Sequence, residues 1–163
     1  MRKTSSNVKP YLKQVHWLGT WRLSDRASWQ FCGSNSEDQS SDRLYHTSRN
    51  VHHITSIQSW ETNLLRANQE GQIVVANFTA SWSNPCKDIA PTYAELADKY
   101  SSLLFLTVDA DGLAELSSSW DIKALPTFYF LKDGRQVEKL VGANKSELHK
   151  KTATMAMLSK APH

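Results

Sequence analysis

One stretch of the chain, residues 74–91, constrains the fold more than any other. It reads VVANFTASWSNPCKDIAP, in which an apolar run leads to Trp82, the bend Ser83-Asn84-Pro85-Cys86 and a helical pattern. The apolar run is typical of a central strand that is covered on both faces. Pro85 is tolerated in the first turn of a helix, where a backbone N–H would have no intrahelical partner. The stretch therefore predicts a buried strand that turns sharply into a helix, with a cysteine at the turn.

From Val51 onward, strand and helix patterns alternate along the chain. The periodicities predict strands at Val51–Ile54, Ile73–Thr79, Leu103–Val108, Thr127–Leu131 and Val137–Leu140, and helices at Ser59–Gln69, Pro85–Tyr100, Leu113–Ser118 and Lys145–Ser159. The Asp-Gly pair between the last two strands is a hairpin signal. This order predicts an α/β fold with a central mixed β-sheet flanked by helices on both faces.

The first 50 residues differ in composition from the rest, and we expect them to form a flexible, basic and serine-rich N-terminal extension to a domain at residues 51–163. The extension holds nine serines, and its first 35 residues carry six basic side chains against one acidic one. Residues 51–163 hold eleven basic and twelve acidic groups, so the domain has no charge pattern for nucleic acid. No run of 18 apolar residues predicts a membrane span. We expect a cytoplasmic protein, or an organellar one if the basic leader is a transit peptide.

Two later segments complete a pattern with the bend at residues 83–86. One is Lys123-Ala124-Leu125-Pro126-Thr127-Phe128, a Pro-Thr ahead of an aromatic strand, and the other is Val141-Gly142-Ala143. Together these segments resemble the thioredoxin family, in which a Trp precedes a Cys-x-x-Cys motif and a cis-proline loop faces it. The runs VVANFTASW, SSSWDI, FYFLKDG and KLVGANKSEL narrow the resemblance to plant h-type thioredoxins with an N-terminal extension. The resemblance implies a thioredoxin fold and the thiol–disulfide oxidoreductase family.

The resemblance also implies a surface that binds extended peptide segments of protein substrates. Its residues here are Trp82, Asn84, Pro85, Leu125, Pro126, Gly142 and Ala143. Thioredoxin reductase and glutathione or glutaredoxin are the other candidate partners. We expect neither a cofactor nor a metal. His52 and His53 on the first strand are interpreted as a solvated or half-buried pair, and Asp109 and Asp111 as turn residues.

Ser83 stands where the family has its attacking cysteine. Disulfide exchange is performed by a thiolate, and a helix N-terminus favours that anion. A serine hydroxyl does not ionise near neutral pH and cannot form a mixed disulfide. We therefore expect dithiol reductase activity to be lost or strongly reduced, and Ser83 to act as a helix N-cap whose hydroxyl accepts a hydrogen bond from an early helical N–H. Cys86 occupies the position of the resolving cysteine and is expected to be a buried thiol.

Two alternatives to a disabled reductase remain open. In the first, Cys32 in the extension pairs with Cys86, or Cys86 pairs with glutathione, as a monothiol redox protein. In the second, the chain is a redox-inactive peptide-binding module or holdase.

Asn77 is a second departure from the family pattern, after Ser83. It stands where many thioredoxins have a buried Asp that assists proton transfer. An amide cannot titrate, so that assistance would have to come from water or from another group.

Overall fold

Five strands form one mixed sheet in this computed structural model, which describes residues 48–160. The strand order is β1-β3-β2-β4-β5. The strands are β1 (Val51–Ile54), β2 (Val74–Thr79), β3 (Leu104–Asp109), β4 (Thr127–Lys132) and β5 (Arg135–Val141). The helices are α1 (Ile57–Gln69), α2 (Asn84–Lys99), α3 (Ala114–Ser119) and α4 (Lys145–Ser159). The first three strands pair in parallel, whereas β4 is antiparallel to β2 and β5 is antiparallel to β4. The predicted thioredoxin fold, a mixed sheet with flanking helices, is confirmed.

Helices cover both faces of the sheet, and alternate residues of β2 point to different helices. Val74, Ala76 and Phe78 belong to one buried cluster, which includes residues of α1 and α3. Val75 belongs to a second cluster, with residues of α2 and α4. Because side chains alternate along a strand, Asn77 lies on the same face as Val75, under α2.

Most boundaries agree with the sequence prediction to within one residue, whereas two elements begin two residues earlier than predicted, for identifiable reasons. Helix α1 begins at Ile57 rather than Ser59, because Ser56 is its N-cap and accepts a hydrogen bond from the Ser59 backbone N–H at 3.1 Å. Strand β5 begins at Arg135, directly after a two-residue turn. Asp133 and Gly134 adopt φ values of 51° and 70°, which suit the tight hairpin turn that the Asp-Gly pair predicted.

Within residues 48–160, no helix is long and apolar enough to cross a membrane. The same residues contain no group of three or more His, Cys, Asp or Glu side chains that could hold a metal ion. Cys32 and nearly all of the predicted extension lie outside the described residues. The described part of the extension is residues 48–50, and the side chains of Ser48 and Asn50 both donate hydrogen bonds to Asp98 on α2.

Candidate functional site

The register of the sheet brings the three predicted site segments to one end of the molecule. Phe78, near the end of β2, pairs with Thr127 at the start of β4, and Thr127 pairs with Val141 at the end of β5. The bend that follows β2, the loop that precedes β4 and the loop that follows β5 are therefore neighbours. The bend and the loop after β5 lie more than fifty residues apart in the sequence, and the sheet brings them together.

The loops before β4 and after β5 are joined by a backbone hydrogen bond. The Leu125–Pro126 peptide bond is cis, as the resemblance to the family implied. The N–H of Gly142 donates to the Pro126 carbonyl oxygen at 2.8 Å. Gly142 adopts a φ of 94°, a conformation that L side chains rarely reach, which explains the glycine at this position. Pro126 is buried, whereas Leu125, Gly142 and Ala143 are half-buried.

Trp82 projects from the bend and is held in place by a residue that sequence reasoning assigned only to a turn. The Trp82 side chain is 67% exposed, and its indole Nε1 donates to Asp111 Oδ2 at 2.6 Å. The backbone N–H of Asp111 donates to Asp109 Oδ1 at 3.1 Å, so the expected turn role of both aspartates is present. The signal for the missed contact was topological, because β2 and β3 are parallel neighbours whose carboxyl ends share one edge.

Ser83 is the N-cap of α2, as expected, but its side chain does not accept the expected hydrogen bond. The residue is buried, with a φ of −86° and a ψ of 114°, and no side-chain capping hydrogen bond forms. That prediction was wrong, and Pro85 supplies part of the reason. An N-cap oxygen accepts from the second or third helical N–H, and Pro85 occupies the second position without an N–H. Asn84 and Pro85 themselves are exposed.

Cys86 lies on the inward face of the first turn of α2 and is only 4% exposed. It is the one cysteine among residues 48–160 and forms no disulfide with them. Ile89 and Tyr93 follow it on the same buried face of the helix. The structure thus confirms that Cys86 is a buried thiol.

Tyr93 fixes α2 to the sheet beneath the bend. Its hydroxyl oxygen lies 2.8 Å from the Val75 carbonyl oxygen and 2.7 Å from that of Leu106, so it can donate to either neighbouring strand. Burial raises the pKa of Tyr93 well above its ordinary value, and the hydrogen bond to Leu106 opposes part of that shift. The Tyr93 ring also packs edge-on against Phe105, with centroids 5.3 Å apart. The base of the site is therefore rigid.

Comparison with known families agrees with this geometry. The family model named Thioredoxin matches residues 51–154, which is most of the chain. The chain belongs to the thioredoxin family.

Relatives of this thioredoxin are plant h-type proteins. "Thioredoxin H4-1" of Oryza sativa subsp. japonica is 49% identical over 125 residues, which cover 77% of this chain and 95% of the relative. "Thioredoxin H9" of Arabidopsis thaliana is 54% identical over 119 residues, covering 73% and 85% of the two chains. The crystal structure of a poplar wild-type thioredoxin h superimposes with a TM-score of 0.64 at 57% identity, covering 65% of this chain and 96% of the other. The chain is thus an h-type member of the thiol–disulfide oxidoreductase family.

Proposed function

We propose that this thioredoxin binds extended peptide segments but has lost dithiol reductase chemistry at Ser83. The observation that carries the proposal is the composition of the bend. A serine is the N-cap of α2, and a single buried cysteine follows three residues later. Thioredoxins act on protein substrates, and the proposal keeps that partner class while removing the reaction.

The bend has too few thiols for the reduction of a protein disulfide. Reduction of a protein disulfide needs one thiolate to form a mixed disulfide with the substrate and a second thiol to release it. The Ser83 hydroxyl stays protonated near neutral pH and cannot perform the first step. Cys86 is 4% exposed, so a protein disulfide has little access to its sulfur. Neither step can then proceed efficiently at this bend.

Peptide binding would use the surface around the bend, which does not depend on a thiol. Trp82 is the most exposed aromatic side chain of the described residues, and Asp111 fixes its indole. Exposed aromatic rings with a restrained orientation bind partners at a low entropic cost. Pro126 and Gly142 are held against each other beside the bend, as described above. We propose that Trp82, Asn84, Pro85, Leu125, Pro126, Gly142 and Ala143 form the binding surface, and that the protein acts in the cytoplasm.

The test uses the full chain and a fluorescein-labelled insulin B chain whose cysteines are carboxymethylated, so that no thiol exchange occurs. Fluorescence anisotropy measures the affinity. We expect Trp82→Ala to weaken binding about tenfold, because a large aromatic anchor is lost. The matched control is Val137→Ala, which removes an exposed apolar side chain from β5, away from the bend, and should leave the affinity unchanged. Equal affinities for Trp82→Ala and the unmodified chain would refute the binding surface.

A second variant separates binding from thiol chemistry. We expect Cys86→Ser to bind the same labelled peptide as tightly as the unmodified chain, since the buried thiol does not form part of the surface. A loss of binding in Cys86→Ser, with the fold retained by circular dichroism, would show that the Cys86 side chain contributes to the peptide-binding surface and would contradict the proposal.

A further inference from the structure

An open cavity of about 490 Å³ lies between helix α2 and strands β1 and β3. Val51 and His53 of β1, the edge strand, line it on one side, and Ala90 and Ala94 of α2 line it on the other. Val51 packs against the buried cluster under α2 but is only half-buried, and His53 is exposed. Because both helix residues are alanines, their short side chains leave this face of β1 partly uncovered.

The N-terminal extension joins the domain at one end of this cavity. Ser48 lines the cavity and is 8% exposed. Its Oγ donates to Asp98 Oδ1 at 2.5 Å, and Asn50 Nδ2 donates to the same oxygen at 3.1 Å. These bonds hold the start of the described chain against the last turn of α2. Residue 47 is covalently bonded to Ser48 and must therefore lie beside the cavity.

A short segment of the extension is long enough to reach the other end of the cavity. Lys87 and Asp109 line that end, next to the bend. Lys87 and Asp98 are eleven positions apart on α2, which is about 16 Å at the helical rise per residue. An extended chain advances about 3.3 Å per residue, so residues 42–47 can run the length of the cavity.

The sequence of this segment matches the character of the cavity. Residues 42–47 read DRLYHT, and Leu44 and Tyr45 are the only apolar side chains between Cys32 and Val51. In an extended chain, neighbouring side chains point to opposite sides. That alternation suits a cavity that has α2 on one side and β1 on the other.

The charges at the far end of the segment also match those of the cavity. Asp42 and Arg43 precede the apolar pair, and the exposed side chains at the bend end are Lys87 and Asp109. Each charge of the segment can therefore pair with an opposite charge of the domain. Exposed ion pairs contribute little free energy, so these pairs would fix the direction of the segment rather than its affinity.

We propose that the N-terminal extension folds back on its own domain, with Leu44 and Tyr45 in the cavity between α2 and β1. The apolar pair is separated from the anchored Ser48 by two residues, and so short a tether gives the contact a high effective concentration. A small gain in buried apolar surface is then sufficient to hold the segment in place. The segment leads the preceding part of the extension to the bend. This inference does not depend on peptide binding at Trp82.

Cleavage of the full chain by trypsin tests this arrangement, because trypsin cuts after Arg43, directly before Leu44, and after Arg26, outside the segment. Mass spectrometry measures both cleavage rates under native conditions, and the isolated peptide of residues 20–50 gives the rates without a domain. Cleavage follows the population of the open segment when opening and closing are fast. We expect the ratio of the Arg43 rate to the Arg26 rate to be about tenfold lower in the full chain than in the peptide.

Two variants of the domain show whether the cavity causes this protection. Ala90→Glu places a charged side chain in the cavity and should return the ratio to its value in the peptide. Ala114→Glu is the matched control, because Ala114 is exposed on α3, on the other face of the sheet, and its replacement should leave the ratio unchanged. Circular dichroism confirms that both variants are folded.

A second measurement leaves the domain itself unaltered. Leu44→Ser combined with Tyr45→Ser changes only the extension, and amide NMR spectra of this variant are compared with those of the unmodified chain. We expect the resonances of Ala90 and Ala94 to move, because the apolar pair leaves the cavity. The resonance of Ala114 should stay in place.

Three results would overturn the inference. Equal cleavage ratios in the full chain and the peptide would show that residues 42–47 do not contact the domain. Unchanged protection in folded Ala90→Glu would show that the segment binds elsewhere. Protection that is lost on dilution would show that a second copy of the chain supplies the segment, since an intramolecular contact does not depend on concentration. Peptide affinity is measured separately by anisotropy, so failure here is distinguishable from failure of the proposed function.

Discussion

Replacement of Asn77 by leucine should stabilise the protein. Asn77 is 5% exposed within the central strand β2, and its Oδ1 accepts no hydrogen bond from residues 48–160. A buried polar atom without a partner costs about 1–3 kcal/mol, and an apolar side chain of similar shape avoids that cost. Leucine is close to asparagine in shape, and the adjoining cavity gives room for its extra volume. We expect Asn77→Leu to raise the free energy of unfolding by about 1–2 kcal/mol.

Equilibrium unfolding in urea, followed by tryptophan fluorescence, measures this change. With a denaturant slope of about 2 kcal/mol/M, the unfolding midpoint should rise by roughly 0.5–1 M. Asn84→Leu is the control, because Asn84 is exposed on α2 and its replacement should alter stability by no more than about 0.5 kcal/mol. A loss of 1 kcal/mol or more in Asn77→Leu would refute the reasoning, because it would mean that the amide makes hydrogen bonds the structure does not contain.

Three further predictions concern single contacts. Tyr93→Phe should lower the free energy of unfolding by about 1 kcal/mol, measured in urea at neutral pH. Because burial raises the pKa of Tyr93, the unmodified chain should lose stability as pH rises above about 10, and Tyr93→Phe should lack that loss. The hydrogen bond from the Lys139 backbone N–H lowers the pKa of Glu138 most, and the Lys151 ammonium, 3.0 Å away, lowers it further. Glu138→Gln should therefore lower the free energy of unfolding by about 0.5 kcal/mol at pH 7. That difference should vanish as pH falls through the lowered pKa, and a difference that persists in acid would contradict the assignment. Asp111→Ala should weaken B-chain binding about threefold, because the Trp82 indole N–H loses the carboxylate that accepts its hydrogen bond. An unchanged anisotropy curve would show that peptide binding does not require this restraint on the indole.

The fold was predictable because local signals and long-range pairing agree. Strand β1 and helix α4 have the bounds that periodicity predicted, and the Asp-Gly turn placed the hairpin. The start of α1 was missed by two residues, because the capping serine lies before the apolar pattern begins. The cis bond at Leu125–Pro126 was expected from a resemblance rather than from local propensity.

The details of the site that escaped prediction all depend on contacts between distant segments. The bond from Trp82 to Asp111 spans 29 residues and requires the parallel pairing of β2 and β3. The missing cap at Ser83 depends on a side-chain orientation that the sequence does not specify. The unpartnered oxygen of Asn77 and the cavity beside it follow from how α2 packs on the sheet. Sequence identified the residues of the bend, whereas packing of α2 on the sheet buries Cys86.

The most direct test of the central claim is the reduction of insulin disulfides in the presence of dithiothreitol, followed by the turbidity of the released B chain. The unmodified chain and Ser83→Cys are compared at equal concentration, with both confirmed to be folded. We expect the unmodified chain to add nothing to the rate with dithiothreitol alone, and Ser83→Cys to accelerate it. Acceleration by the unmodified chain equal to that of Ser83→Cys would contradict the account, because it would show that Ser83 does not remove the reductase chemistry.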